Sequence, residues 1–310
     1  MRILVSDPLS PEGVQALREG HDVDVRKVTP EELLRDIAGY DALVVRSETK
    51  VTRAVLVAAT RIKVVGRAGV GTDNIDLEAA KARGVAVVNA PTASTNAVAE
   101  LAIGHMLALL RHLQPADASV RGGRWEKKQF MGGELAGRSL GLIGVGRIGV
   151  RVTELAEAFG MEVHVYDPYV PRERAVALGV LKHDDVGALV AASDVVSVHV
   201  PLTDETRHIV DAALLARFRP GAILVNCARG GIIDEKAAAD ALAAGTLGGL
   251  ALDVFEEEPP NGTPVFAQPN ARFTPHLGAS TREAQEKAGL LVAREVLAVL
   301  EGRTPEFRVV

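Results

Sequence analysis

Short runs of apolar, mostly β-branched residues alternate along the chain with longer stretches of helical periodicity. Continuous apolar runs of this kind are typical of strands that helices cover on both faces of a parallel sheet. The pattern therefore predicts an α/β protein. The predicted strands are Ile3–Ser6, Ala42–Val45, Val64–Val65, Val85–Val88, Leu140–Ile143, Val163–Tyr166, Val195–Val198, Ile223–Val225 and Leu250–Leu252.

Several predicted helices have recognisable first turns. Thr29–Glu32 contains a threonine, a proline and a glutamate in the order of a capping box. Ser280–Glu283 predicts a second capping box, which opens a helix that runs to about Glu301. A further helix is predicted from about Thr95 to His112, with apolar residues suited to packing along a domain boundary. This helix separates two strand–helix series, one over residues 1–90 and one that begins at Leu140.

Composition narrows the class of protein. The chain has 310 residues, of which 47% are hydrophobic and 24% are charged, as in ordinary globular proteins of one large or two medium domains. A net charge of −5 gives no basic field, which argues against a nucleic-acid partner. The single cysteine, Cys227, excludes a disulfide framework or a cysteine-based zinc site within one chain. We see no metal-ligand cluster, no signal peptide and no membrane span, so we expect a cytoplasmic protein.

The sharpest local motif is the glycine-rich segment Gly144–Gly149, which reads GVGRIG. It directly follows an apolar strand and opens a helical pattern, and a second predicted strand ends at Asp167. This order is typical of a dinucleotide-binding unit: glycines allow a tight turn and close approach to a pyrophosphate, and the helix N-terminus attracts the phosphates. Asp167 is placed to accept hydrogen bonds from the adenosine ribose and to repel a 2′-phosphate, so we predict NAD as the cofactor and not NADP.

Three segments contain side chains suited to acid–base chemistry and anion binding. Asn226–Gly231 and Asp253–Pro260 follow predicted strands, where ligands bind in such sheets, and Pro275–Ser280 precedes the last helix. His105 and His112 lie seven residues apart in a predicted helix, where a packing role or simple exposure is the more ordinary interpretation than catalysis. Gly122–Glu126, which holds the only tryptophan, fits an arm or loop and equally a plain surface turn.

Together with the glycine loop, these segments resemble the D-2-hydroxyacid dehydrogenase family. Further resembling stretches are Val45–Ser47, Gly66–Asp76 and Val198–Thr203. The resemblance extends from about Arg46 to Ser280 and rests on several long motifs.

The resemblance implies a catalytic set of three residues. Arg229 pairs the substrate carboxylate and polarises the reacting carbonyl, a task that suits a planar, permanently charged guanidinium. His276 takes the hydroxyl proton while hydride leaves C2, and Glu258 hydrogen-bonds His276 and favours its protonated form. Asp253 is expected at the nicotinamide end of the cofactor, and Cys227 is interpreted as a small residue near it. The cofactor-binding residues implied are Val70, Gly144, Gly146, Arg147, Ile148, Gly149, Asp167, Val200, Pro201, Cys227, Ala228, Arg229, Asp253, His276, Gly278 and Ala279.

Substrate choice depends on cationic groups in the first half of the chain. Arg46 and Arg67 match positions that bind a substrate phosphate, which favours a phosphorylated 2-hydroxy acid, with D-3-phosphoglycerate as the first candidate. Lys127 stands where arginine is expected, so its part in phosphate binding is weakened, and Val70 and Val200 stand where some relatives have threonine. The substrate-binding residues implied are Arg46, Ser47, Arg67, Gly69, Val70, Gly71, Arg229 and His276.

The family fold implies two doubly wound parallel-sheet domains with the active site in the cleft. We expect a discontinuous substrate-binding domain, 1–96 plus 281–310, and a Rossmann-type NAD-binding domain, 97–280. A homodimer through the nucleotide domains is expected. We expect no C-terminal regulatory domain, and therefore no serine feedback through such a domain.

Other functions share much of this pattern. A glyoxylate or hydroxypyruvate reductase of the same family would have the same catalytic residues and would differ at Arg46 and Arg67. Formate oxidation is disfavoured, because relatives with that activity use glutamine at the position of Glu258. An NAD-sensing binding protein on the same fold could retain the whole catalytic set.

Overall fold

A computed structural model describes all 310 residues. The strands are β1 Arg2–Val5, β2 Asp22–Val25, β3 Ala42–Val45, β4 Val64–Arg67, β5 Ala86–Asn89, β6 Ser139–Ile143, β7 Glu162–Tyr166, β8 Leu181–Lys182, β9 Val195–Val198, β10 Ala222–Asn226, β11 Leu247–Leu252 and β12 Ala271–Phe273. The helices are α1 Pro11–Arg18, α2 Pro30–Asp36, α3 Arg53–Ala58, α4 Leu77–Ala82, α5 Thr95–Leu110, α6 Leu113–Arg121, α7 Arg147–Ala158, α8 Arg172–Ala177, α9 Val186–Ala191, α10 Ala212–Leu215, α11 Glu235–Ala243 and α12 Arg282–Leu300.

The chain forms two compact units. The first comprises Met1–Thr95 and Ala279–Val310, and the second is the continuous segment Asn96–Gly278. Every strand pair in both units is parallel, and helices connect the strands. The predicted α/β class with two parallel-sheet domains is therefore confirmed.

The first unit is built on a five-stranded sheet in the order β2-β1-β3-β4-β5. Alternate strand residues enter two separate cores, as the twofold period of a strand requires: Leu4 and Leu43 pack on one face, Ile3 and Val44 on the other. The final helix, α12, completes the second of these cores with Val292 and Val296. Helices α1 and α12 cross closely, because a Cβ atom added at Gly13 would lie 2.7 Å from the carbonyl carbon of Gly289.

The second unit is built on a seven-stranded sheet in the order β12-β11-β10-β9-β6-β7-β8. From β6 the chain winds first through β7 and β8 and then back to β9 on the opposite side. The strand order therefore reverses between β6 and β9, and a ligand is expected outside the carboxyl ends of the strands at such a switch point. No helix in either unit combines the length and apolarity that crossing a bilayer demands.

The structure corrects two details of the helix predictions. The capping box at Thr29 forms as predicted, but α12 is capped by Thr281, whose hydroxyl accepts from the amide of Ala284. The box predicted at Ser280 is wrong, because the helix begins one residue later and Ala284 has no side chain that could reach back. Helix α5 ends at Leu110, and His112 has a left-handed φ of 52° between two helices. His112 therefore does not share a helix with His105.

Candidate active site

The predicted cofactor and catalytic residues of the second unit lie at one edge of its sheet. Each follows the carboxyl end of a strand, because all seven strands are parallel and point the same way. The edge is formed by Gly144 after β6, Asp167 after β7, Val200 and Pro201 after β9, Cys227–Arg229 after β10, Asp253 after β11 and His276 after β12. The fold thus gathers at a single edge residues that are far apart in the sequence.

The glycine loop after β6 has the tight geometry that its sequence predicts. Gly144 has a φ of 92°, and a Cβ atom there would lie 2.7 Å from Cγ1 of Val200. At Gly149 a Cβ atom would lie 2.6 Å from the carbonyl oxygen of Gly144, so the helix packs directly on the loop. Gly146, in contrast, is exposed, and a Cβ atom there would meet open space. Gly144 and Gly149 are therefore required by packing within the loop, whereas the backbone of Gly146 is accessible to a ligand from outside.

The start of α7 fits the pyrophosphate of a dinucleotide. Gly146 is its N-cap and provides no side-chain hydrogen bond to the first turn, so the amides there lack a side-chain acceptor. Such amides and the positive end of the helix dipole together attract phosphate. Arg147 is exposed and Ile148 is half-buried at this turn. The residues present therefore match the needs of the cofactor.

Asp167 is tied to the glycine loop. Its Oδ2 accepts from the amide of Val145 at 3.0 Å, and its Oδ1 accepts from the amide of Tyr169 at 3.0 Å. A carboxylate offers about four acceptor positions, so these bonds leave capacity for ribose hydroxyls. The carboxylate is thus held at the end of β7, beside the loop expected to bind the pyrophosphate.

Replacing Gly149 by alanine should disrupt this loop. The added methyl would press on the Gly144 carbonyl oxygen, and relief requires a backbone shift that costs about 1–3 kcal/mol. We expect a lower melting temperature and NAD binding weakened by at least about tenfold, measured by calorimetry. Gly104→Ala is the matched control: it lies in α5 with no atom within 4 Å of an added Cβ, and should retain NAD binding and stability. Equal NAD affinity in the two variants would contradict the role given to the loop.

His276 and Glu258 form a hydrogen-bonded pair. Nδ1 of His276 lies 2.8 Å from Oε2 of Glu258, and the side chains are 50% and 38% exposed, respectively. Burial raises the pKa of Glu258, but the hydrogen bond from His276, the charges of His276 and Arg229 and the amide of Phe255 outweigh it, so the pKa is lowered overall. Glu258 is thus a carboxylate at neutral pH. Because Nδ1 is engaged by Glu258, Nε2 is the ring nitrogen that remains for proton transfer.

The loop that carries Arg229 is fixed from two sides. The side chain of Asn226 is buried; its Nδ2 donates to the carbonyl oxygen of Arg229 at 2.8 Å and its Oδ1 accepts from the amide of Ala228 at 2.9 Å. Gly230 packs so closely on the carbonyl of Phe255 that a Cβ atom there would overlap it. These contacts hold the loops after β10 and β11 together, and they place the charge of Arg229 where it lowers the pKa of Glu258.

Asp253 is fully buried and binds the loop that bears His276. Its Oδ1 accepts from the hydroxyl of Thr274 at 2.6 Å and from the amide of Leu277 at 2.7 Å, and its Oδ2 accepts from the amide of Gly278 at 2.8 Å. These three bonds are internal, so a contact between Asp253 and the nicotinamide stays a prediction. Burial and the nearby charge of Asp253 raise the pKa of Cys227, so its thiol remains protonated and is a poor nucleophile.

The predicted phosphate ligands belong to the first unit. Arg46 directly follows strand β3, and Arg67 is the last residue of the neighbouring strand β4. The backbone around Arg46 is held by Asp7, which accepts from its amide at 2.6 Å, and by Asn74, which donates to its carbonyl oxygen at 2.8 Å. The guanidinium of Arg67 packs on Gly69, where any Cβ atom would overlap it.

The other predicted residues of the first unit lie near Arg46 and Arg67 in the chain, except Ala279, which opens the unit's second segment. Ser47 is exposed and Val70 and Gly71 are half-buried, while Ala279, half-buried, precedes α12. Lys127 is exposed and belongs to the second unit, in a short 3-10 turn. Sequence reasoning missed four supporting residues: Asp7, Asn74, Asn226 and Thr274. Two of them are buried polar residues at the end of an apolar strand, Asp7 two residues after β1 and Asn226 as the last residue of β10, and this position is the one signal that could have revealed them.

Comparison with known proteins places the chain in a family. Residues 103–278 match the family model described as D-isomer specific 2-hydroxyacid dehydrogenase, NAD binding domain. The chain belongs to this family. Its second unit, which contains the glycine loop and the His276–Glu258 pair, lies almost wholly within the matched segment, so this unit is the family's NAD-binding domain.

Individual relatives agree with this assignment. D-3-phosphoglycerate dehydrogenase of Methanocaldococcus jannaschii is 51% identical over 99% of this chain, and the chain spans 59% of that relative's length. The crystal structure of TT0316 protein from Thermus thermophilus is 38% identical, with a TM-score of 0.92 and full coverage of both chains. A glyoxylate reductase from Paecilomyes thermophila is 30% identical, with a TM-score of 0.90, over 100% of this chain and 98% of its own.

Proposed function

We propose that this protein oxidises D-3-phosphoglycerate to 3-phosphohydroxypyruvate with NAD, the first step of the phosphorylated route to serine. The observation that carries the proposal is the 2.8 Å contact between His276 and Glu258 at the sheet edge that also holds Arg229 and the glycine loop. The name of the Methanocaldococcus relative favours the phosphorylated substrate.

The chain's own residues supply proton transfer and charge. NAD, when bound at the glycine loop, would supply the hydride acceptor for C2 of the hydroxy acid. His276 receives the hydroxyl proton at Nε2 as the carbonyl forms, and Glu258, a carboxylate at neutral pH, stabilises the imidazolium that results. Arg229 pairs with the substrate carboxylate and orients C2 toward the nicotinamide. The reverse reaction uses the same groups, with His276 returning the proton.

Arg46 and Arg67 are proposed to bind the substrate phosphate. Both arise at carboxyl ends of adjacent parallel strands in the first unit, and the backbone that carries Arg46 is fixed by two hydrogen bonds. An arginine on a fixed backbone loses less freedom on binding an oxyanion than one on an unsupported backbone, and its planar fork of donors matches phosphate geometry.

The position of Asp167 supports NAD over NADP. A 2′-phosphate near this carboxylate would be repelled by roughly 4 kcal/mol at about 4 Å and an effective dielectric constant near 20. We expect Asp167→Asn, which removes the charge and keeps an acceptor, to lower the ratio of kcat/KM for NAD over NADP by about 10²-fold. The exposed Asp184, paired with Arg172, gives the control Asp184→Asn, for which the ratio should not change. An unchanged ratio in Asp167→Asn would place the ribose elsewhere.

Reduction of glyoxylate or hydroxypyruvate is the second candidate. The glyoxylate reductase from Paecilomyes thermophila shares the fold over the full chain, and this reaction would use the same His276, Glu258 and Arg229. The two candidates differ in the need for Arg46 and Arg67. If Arg46→Ala and Arg67→Ala impair phosphorylated and unphosphorylated substrates equally, the phosphate assignment is wrong.

The deciding experiment follows NADH absorbance with NAD and D-3-phosphoglycerate, beside D-glycerate and D-lactate. Turnover largely confined to the phosphorylated acid supports the proposal, whereas preference for an unphosphorylated acid rejects the phosphate site and retains the dehydrogenase. If no acid is oxidised, the reverse assay uses phosphohydroxypyruvate, hydroxypyruvate and glyoxylate. Absence of turnover in both directions, with NAD still bound, favours an NAD-sensing binding protein.

We propose a homodimer formed through the NAD-binding domain. Large apolar side chains are exposed around α6 and the following segment: Leu113 is 53%, Val120 56%, Trp125 84% and Met131 84% exposed. Such a cluster on one segment is typical of a surface that a partner covers. Light scattering should give twice the chain mass, and Trp125→Lys with Met131→Lys should shift it toward the monomer.

A further inference from the structure

A series of hydrogen-bonded polar side chains lies beneath the loop that carries His276. It consists of His105 on α5 and Asp253 after β11, which are buried, and Thr274 after β12, which is half-buried. His105 is 4% exposed and Asp253 is 0% exposed. Nε2 of His105 lies 3.1 Å from Oγ1 of Thr274, and that hydroxyl donates to Oδ1 of Asp253 at 2.6 Å.

The hydrogen bonds fix the tautomer of His105. Thr274 has one hydroxyl hydrogen, which it donates to the carboxylate of Asp253. Its contact with His105 must therefore use an oxygen lone pair, so Nε2 of His105 carries a proton and donates. Burial lowers the pKa of His105, and the opposing effect of Asp253 is smaller, so the ring is neutral at neutral pH. The order of donation is His105 to Thr274 to Asp253.

Asp253 connects this series of hydrogen bonds to the loop that contains His276. Its carboxylate accepts from the amides of Leu277 and Gly278, and its carbonyl oxygen accepts from the amide of His276 at 2.8 Å. His276 has a left-handed φ of 53°, which a non-glycine residue adopts only where its surroundings hold it. The amides of His276 and of the two residues after it all donate to Asp253, so this residue is the main support of the His276 backbone, beside the contact of the ring with Glu258. The hydroxyl of Thr274 donates to the same carboxylate.

Packing alone does not account for a histidine at this position. The neighbours of His105 on the buried side of α5 are apolar: Ala102, Met106 and Leu109. A leucine or methionine would fill such a space without burying an imidazole, whose polar atoms need partners. The hydrogen bond to Thr274 is the specific feature that the imidazole adds.

We propose that His105 is a positioning residue for His276, acting through Thr274 and Asp253. The inference rests on the proposed function, in which His276 transfers the proton. Donation from His105 keeps the Thr274 hydroxyl directed at Asp253, and Asp253 in turn fixes the backbone of His276. Small displacements of a catalytic group lower turnover strongly, even when the substrate still binds.

Paired substitutions separate this role from packing. His105→Gln retains an N–H donor at the same number of bonds from Cα, whereas His105→Leu removes the donor and keeps the bulk. Thr274→Ser retains the hydroxyl, whereas Thr274→Val replaces it with a methyl. In the wild type and all four variants we would measure melting temperature, kcat and KM. Hydrogen–deuterium exchange would be followed by mass spectrometry in peptides covering residues 274–280 of the protein without cofactor.

We expect His105→Leu and Thr274→Val to lower kcat by about 5–30-fold with KM for the hydroxy acid within about twofold. Exchange at the amides of Leu277 and Gly278 should accelerate by a similar factor. His105→Gln and Thr274→Ser should remain within about threefold of the wild type in both measurements. If His105→Leu does not fold, the Thr274 pair decides the question alone.

Two results would overturn the inference. One is unchanged exchange and kcat in His105→Leu and Thr274→Val. The other is an equal loss in the conservative variants, which would show that volume matters and donation does not. Failure of the proposed function is distinguishable, because it appears as a wild type and variants without turnover on any acid. In that case the exchange data still establish whether His105 holds the loop.

Discussion

His276→Asn is expected to lower kcat by about 10²–10⁴-fold, the usual contribution of a general acid–base residue. Asparagine is chosen because it tolerates the left-handed conformation that His276 adopts at a φ of 53°. The fold and the hydrogen bonds that the amides of Leu277 and Gly278 donate to Asp253 should therefore survive, and the melting temperature should change little. Steady-state kinetics on the preferred hydroxy acid, beside NAD binding by calorimetry, would check the expectation.

His208 provides a control with nearly the same local structure. It also has a left-handed φ, 50°, and its Nε2 lies 3.2 Å from a carboxylate oxygen of Glu256. It lies outside the predicted catalytic set, so His208→Asn should leave kcat within about twofold of the wild type. If both variants lose activity alike, the effect of the His276 change comes from backbone disturbance. If neither does, His276 is not the proton acceptor.

Arg229→Lys is expected to lower kcat/KM for the hydroxy acid by about 10²-fold while NAD binding stays within about twofold. Lysine keeps the charge but cannot form two parallel bonds to a carboxylate, and each charge-assisted bond contributes roughly 1.5–3 kcal/mol. The backbone of this loop is held by Asn226 and by the packing of Gly230, and Nη1 of Arg229 adds one bond to the carbonyl oxygen of Ala228 at 2.7 Å, which a lysine ammonium can also donate. The loss should therefore appear in substrate binding and turnover and not in stability.

Arg172→Lys is the matched control, because Arg172 is 63% exposed and pairs with Asp184 at the surface. It should change neither kinetics nor the melting temperature, since exposed ion pairs contribute little. A full loss of NAD binding in Arg229→Lys would indicate that the guanidinium serves the cofactor and not the substrate carboxylate.

Sequence patterns predicted the fold well where strands are apolar on both faces. Nine of the strands lie in short, continuous apolar runs between helical segments, and such runs are typical of buried parallel strands. Three were missed, for physical reasons: Asp22–Val25 alternates polar and apolar residues, Leu181–Lys182 is only two residues long, and Ala271–Phe273 contains an arginine. All three lie at sheet edges, where one side has no strand partner and polar residues are tolerated.

The sequence predicted the side chains that carry the proposed chemistry, but not the residues whose hydrogen bonds hold those side chains in place. His276, Glu258 and Arg229 belong to motifs with a family resemblance, whereas the pattern alone gave no reason to pair them. For His105 the sequence predicts either packing or exposure, because helix periodicity does not show which hydrogen bonds form inside the fold. Asn226 and Asp253 are likewise known as supports only from the hydrogen bonds that the fold creates.

The discontinuity of the first unit has a consequence for biosynthesis. Its second core is closed by Val292 and Val296 of α12, and α1 packs on that helix at Gly289. The ribosome must therefore translate the whole of the second unit, Asn96–Gly278, before α12 can emerge. At about 5–20 residues per second this delay amounts to roughly 10–40 s. During that time the nascent first sheet exposes an uncovered apolar face, so it is the unit that chaperones are expected to bind, whereas the continuous second unit can fold as it emerges.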